Sequence, residues 1–198
     1  MHDGSNHRGE DMPHTATRLL RTGRCCLLVI DPQEKLMKAI HKAEQVTNRI
    51  AMLTNCFRAM DLPVIGTTQY VKGLGPFVPQ LDDLIPEDSI IDKLEFNAFA
   101  NPDFVAALKS IGPDIDSLVL CGVEAHICIY QTAVGAVNAG YRVWVASDAV
   151  SSRDKKNREE ALRTISGFAA TGPCEMIVYQ LLGKAGTPEF KAVLPFIK

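Results

Sequence analysis

Cys25-Cys26-Leu27-Leu28-Val29-Ile30-Asp31-Pro32 decides the architecture. Six consecutive apolar residues are too few for a helix, and a carboxylate and a proline end them sharply. Such a run fits a strand buried on both faces, which is the signature of a parallel sheet. Ser117–Gly122 (SLVLCG) has the same character, and Val64–Thr68, Ser89–Ile91, Arg142–Ala146 and Ala169–Thr171 are predicted as further strands.

Between the strands the period changes. Leu36, Ile40, Ala43, Val46, Ile50, Leu53 and Phe57 recur at steps of three and four, so one helix is predicted there, stopped by Asp61-Leu62-Pro63. Lys72–Pro79, rich in Gly and Pro, is predicted as a loop. Asn101-Pro102 opens a helix to Ser110 with the asparagine as N-cap. Helices are also predicted over Cys128–Ala139, closed by Gly140, and over Lys155–Phe168. Ile177-Val178-Tyr179 looks β-like alone, but Cys174, Ile177, Val178, Leu181, Leu182 and Ala185 form one helical face, closed by Gly186. Strands alternating with helices, without repeats or linkers, give an α/β class fold with a parallel sheet. Residues 1–23, polar with three His, are predicted as a flexible tail, and 24–198 as the single domain.

At 198 residues the chain can bury roughly 70% of its unfolded surface, so its core needs no staples. The balance of 21 Lys+Arg against 23 Asp+Glu argues against a nucleic-acid partner, and no apolar run approaches a membrane span. Six cysteines without CxxC spacing, and no signal-like or acid-poor N-terminal segment, point to a reducing, cytoplasmic setting.

Ligands of open parallel sheets bind beyond the carboxyl ends of the strands. Asp31, Thr67–Tyr70, Asp92-Lys93 and Gly122–Cys128 all fall there. Asp31 suits a general base, a phosphoacceptor or a magnesium ligand, or it caps the following helix. Gln33 stands where DxD chemistry needs a second Asp, and no glycine-rich turn follows the strand. Cys128 lies at the start of a predicted helix, whose partial charge favours thiolate over thiol and whose free N–H groups suit an oxyanion. Elsewhere a cysteine is a small core hydrophobe.

As a set, these residues resemble the isochorismatase-like cysteine hydrolase superfamily, in its metal-free, isochorismatase-domain-containing branch. The resemblance rests on Asp31, on Lys93-Leu94-Glu95-Phe96-Asn97-Ala98-Phe99, on Gly-Val-Glu-x-x-x-Cys-x-x-Gln-Thr-Ala at Gly122–Ala133, and on Asp148–Arg153. It implies a three-layer α/β/α, Rossmann-like fold with six mostly parallel strands and helices on both faces. It also implies an Asp31–Lys93–Cys128 triad that hydrolyses a small amide or related acyl substrate through a covalent cysteine intermediate. A cis peptide at Val123-Glu124 would aim the N–H groups of Glu124 and Cys128 into an oxyanion hole, and Gln69, Tyr70 and Phe96 would line the pocket. The resemblance further implies a homo-oligomer, a dimer or larger.

Metal-dependent nicotinamidases of the superfamily carry Asp-x-His after the second strand, whereas Thr67-Thr68-Gln69-Tyr70 stands here. No metal and no cofactor is therefore expected. Isochorismatases proper lack the nucleophilic cysteine that Cys128 supplies. Two other functions fit the same residues: a catalytically silent binding or scaffold protein, and a peroxide sensor built on a low-pKa Cys128.

Overall fold

The computed structural model describes residues 18–197. Six parallel strands, β1 (Cys25–Ile30), β2 (Val64–Gln69), β3 (Ile90–Lys93), β4 (Ser117–Val123), β5 (Arg142–Ser151) and β6 (Ala170–Gly172), form one sheet in the order β3-β2-β1-β4-β5-β6. The order reverses between β1 and β4, whose carboxyl ends therefore open the crevice where such sheets bind ligands.

Every residue of β1 and β4 is buried, because helices cover both faces. Cys25, Leu27 and Val29 face one core with α2 (Ala43–Ala59), α8 (Cys174–Leu182) and α9 (Pro188–Ile197). Cys26, Leu28 and Ile30 face the other with α5 (Pro102–Ser110), α6 (Tyr130–Asn138) and α7 (Lys155–Ile165). This is the expected three-layer α/β/α arrangement. Asn101 caps α5 through Phe104 N–H at 3.0 Å, with Pro102 in the first turn. The apolar C-terminal stretch forms α9 and docks on the protein's own body, with Val193 fully buried.

Several boundaries differ from the sequence reading. The helix predicted from Leu36 to Phe57 is two: α1 (Glu34–Met37) and α2, separated where Lys42 takes a left-handed conformation at φ 56°. Hydrophobic spacing does not register a single such residue. The loop at 72–79 contains α3 (Val71–Leu74) and leads into α4 (Pro79–Asp82). β5 continues past Ala146 to Ser151 across an irregularity in its pairing with β4. The last predicted helix ends at Leu182, with Gly183 at φ 66° as its cap, three residues before Gly186. The flexible-tail prediction falls mainly on residues outside those described, but Leu20 is buried and its N–H donates to Gln180 Oε1, so the packed body begins before residue 24. Among the described residues no helix is long and apolar enough to cross a membrane.

Candidate active site

Asp31 follows β1 directly and adopts φ 54°, a left-handed conformation that aspartate tolerates better than most residues. Its side chain caps no helix; α1 has Gln33 at its N-cap position, without a side-chain bond. Instead Asp31 Oδ1 accepts from Thr67 Oγ1 at 2.7 Å, and Oδ2 accepts from Lys93 Nζ at 2.7 Å. Thr67 is the register partner of Ile30, so pairing of β1 with β2 delivers that hydroxyl. Lys93 is the last residue of β3, and its side chain is completely buried, as is that of Asp31. A dry ion pair of this kind is a poor way to stabilise a fold, since desolvation consumes most of the Coulomb gain.

Cys128 reaches the same place from β4. The predicted helix start is a π-helical turn, Ala125–Ile129, with α6 beginning at Tyr130. The Val123–Glu124 peptide bond leading into the turn is cis. Only 6% of Cys128 is exposed. Burial pushes its thiol well above the ordinary range and the Asp31 carboxylate adds to this, while the Lys93 ammonium and the backbone N–H of Glu124 offset part of the rise. The thiolate-favouring environment expected from a helix N-terminus is thus overridden by desolvation. Burial likewise raises the Asp31 carboxyl, against the pull of Lys93, Thr67 and the Cys128 thiol. The site thus sets a thiol whose ionisation is opposed by burial beside the Asp31–Lys93 pair, which runs against the low-pKa thiol that a peroxide sensor needs.

Gln69 joins this group: Lys93 Nζ donates to its Oε1 at 2.8 Å. Tyr70 and Phe96, expected to line the pocket, are about half exposed, with Val71 and Leu94 also at the surface nearby in sequence. The Glu124 carboxylate accepts from Arg153 N–H at 2.8 Å, with the guanidinium at 3.4 Å. His126 Nδ1 lies 2.9 Å from Ser152 Oγ, which ties the Ala125–Ile129 turn to the end of β5. Among the described residues no three His, Cys, Asp or Glu groups gather as metal ligands would.

Sequence reasoning passed over two contributors. Thr67 was placed at a strand end without a role, although strand register could have paired it with Asp31. Gln33 was read only as an Asp that is missing, yet it is fully buried and all three of its side-chain bonds go to the backbone of residues 69–75.

Comparison with known proteins agrees with the fold. The isochorismatase domain family matches residues 25–174, a span that includes Asp31, Lys93 and Cys128. Isochorismatase domain-containing protein 2 of Xenopus laevis is 39% identical over 176 residues, covering 86% of this chain and 82% of the relative. Among solved structures, the MAR1 ribonuclease of Caenorhabditis elegans superposes with a TM-score of 0.84 at 31% identity, over 91% of this chain and 92% of that one. YcaC of Pseudomonas aeruginosa, solved with hexane-2,5-diol and covalent acrylamide, does so with a TM-score of 0.83 at 25% identity, over 91% and 92%. With a domain match over most of its length and a relative of this identity, the chain belongs to the isochorismatase family of hydrolases.

Proposed function

We propose that this protein is a cysteine-dependent hydrolase that cleaves the C–N bond of a small amide or related acyl substrate, with Cys128 as nucleophile, Asp31 as base and Lys93 as electrostatic support. The observation that carries the reading is the fully buried Asp31–Lys93 pair, 2.7 Å apart, set against the Cys128 thiol. A charged pair withdrawn from water contributes little to folding but much to proton transfer.

In the proposed cycle Asp31 takes the thiol proton as sulfur attacks the acyl carbon. The oxyanion that forms accepts from the N–H groups of Glu124 and Cys128. Collapse breaks the C–N bond, Asp31 returns its proton to the leaving nitrogen, and a thioester remains on Cys128. Water then attacks the thioester carbon with Asp31 again as base, releasing the acid and restoring the thiol. Lys93, 2.7 Å from Asp31 Oδ2, favours the ionised carboxylate between proton transfers. No step calls for a metal or cofactor.

The exposed Tyr70, Val71, Leu94 and Phe96 suit a rim covered in a homo-oligomer, and six buried free thiols suit a reducing compartment such as the cytoplasm. The nematode neighbour's name carries a ribonuclease activity, but a buried thiol beside a carboxylate, in a chain of net charge −2, favours a small neutral substrate over a polyanion.

The test is ammonia release from a panel of small amides and ureides (acetamide, benzamide and N-carbamoylglycine among them) by the intact protein, Cys128→Ala and Asp31→Asn. Turnover lost in both variants is expected. Turnover that survives Cys128→Ala overturns the reading. No turnover, combined with a Cys128 that no acyl donor or alkylating agent modifies, favours the scaffold.

A further inference from the structure

Gln69 was expected at the substrate, but both ends of its amide are already engaged. Nε2 donates to Leu94 O at 2.7 Å, which fixes the amide's orientation and leaves Oε1 aimed at Lys93 Nζ, 2.8 Å away. An amide oxygen only accepts, so Lys93 is the donor in this contact. The ammonium is thereby held at two of its three hydrogens, by Asp31 and by Gln69, with the third left for the reacting sulfur or the substrate. Strand register makes the contact reproducible, because Gln69 and Lys93 are partners in the β2–β3 ladder.

Behind Gln69 stands Gln33. Its Oε1 accepts from Gln69 N–H at 2.7 Å, and its Nε2 donates to Gln69 O at 3.1 Å and to Gly75 O at 2.7 Å. Fully buried between β1 and the segment that follows β2, this side chain replaces the backbone pairing with β1 that ends at Thr67.

We infer that Gln69 is a positioning residue for Lys93, and that Gln33 fixes the backbone from which Gln69 acts, so that two uncharged amides set the geometry of the Asp31–Lys93 pair. The inference rests on the proposed hydrolase reading for what the pair does. It moves Gln69 from the substrate pocket to the support of the base. The charged groups that bear on the thiol are Asp31 and Lys93; on the other side Glu124 is engaged with Arg153, and His126 with Ser152.

The experiment is the rate of Cys128 alkylation by iodoacetamide as a function of pH, without substrate, for the intact protein, Asp31→Asn, Gln69→Met and Gln69→Glu. Adducts are located by peptide mass. In the intact protein the rate falls on the acid side as Asp31 gains its proton. Gln69→Met removes the acceptor and leaves Asp31 less well supported as an anion, so the acid limb moves to higher pH and the rate at pH 6 falls about fivefold to tenfold. Gln69→Glu restores the acceptor but adds a negative charge beside the pair, and it moves the limb further in the same direction. It also carries the test if Gln69→Met does not fold. A residue that only touches substrate leaves the limb of the free protein where it was, and that result in either folded variant overturns the inference. If Cys128 of the intact protein alkylates no faster than in Asp31→Asn, the hydrolase reading fails instead.

Discussion

Removing one member of the Asp31–Lys93 pair should cost far more stability than removing both. Lys93→Met leaves a carboxylate with no exposure to solvent and only the Thr67 hydroxyl and the Cys128 thiol as partners. Stranding one buried charge costs about 3–5 kcal/mol. For a protein of this size each kcal/mol moves Tm by roughly 2–4 °C, so a fall of about 6–20 °C is expected. Asp31→Asn strands the ammonium and costs a similar amount. In the double variant Asp31→Asn/Lys93→Met no charge is buried, and the substituted carboxamide still offers Thr67 an oxygen. Its stability should return to within about 2 kcal/mol of the intact protein, while hydrolysis stays at least ~100-fold down because the base is gone.

The sign of the pH dependence follows from burial. Asp31 has its folded pKa raised above the unfolded value. Its contribution to stability is therefore full at low pH and declines as pH rises through the folded value. The Lys93→Met deficit should accordingly be smaller at pH 5, where the stranded carboxyl can take up a proton, than at pH 8. Urea titrations of the four proteins at both pH values measure this cycle. Losses in the double variant equal to the sum of the two single losses would refute the reasoning, as would a Lys93→Met deficit that grows towards acid.

Two other outcomes are expected. Because Asp31 must be ionised to act as base and its carboxyl is raised, the acid limb of kcat/KM should lie above the ordinary aspartate value of about 4; a steady-state pH profile with its limb at or below that value contradicts the assignment. Gly122 sits at φ 118°, where an added Cβ would come within 2.0 Å of Ile30 O in the neighbouring strand. Gly122→Ala should therefore cost more than about 3 kcal/mol by chemical denaturation, whereas Gly183→Ala, at φ 66° with open space around it, should cost only about 1–2 kcal/mol.

Legibility in the sequence followed the physics of each feature. β1 and β4 were plain because a strand covered on both faces must be apolar throughout, and the helix over Cys174–Leu182 was plain because one face of it is. The split at Lys42 and the left-handed turns at Asp31 and Tyr70 were hidden, since a single backbone dihedral leaves no mark on hydrophobic spacing. β5 beyond Ala146 was hidden because its irregular pairing interrupts the pattern. At the site, the strand-end rule and the resemblance together picked out Asp31, Lys93 and Cys128. Burial acts on Cys128 against the pull expected from its helix position, because helix position is local while desolvation depends on everything packed around the thiol. Gln33 and Thr67 escaped because their partners are close only across the sheet.

In the proposed cycle Cys128 carries the acyl group. The most direct measurement is intact mass and peptide mapping of the protein quenched in acid after brief exposure to 4-nitrophenyl acetate. One acetyl group is expected on the peptide containing Cys128, formed with a burst of nitrophenol and absent in both Cys128→Ala and Asp31→Asn. Acetylation elsewhere, or on Cys128 at an undiminished rate in Asp31→Asn, would contradict it.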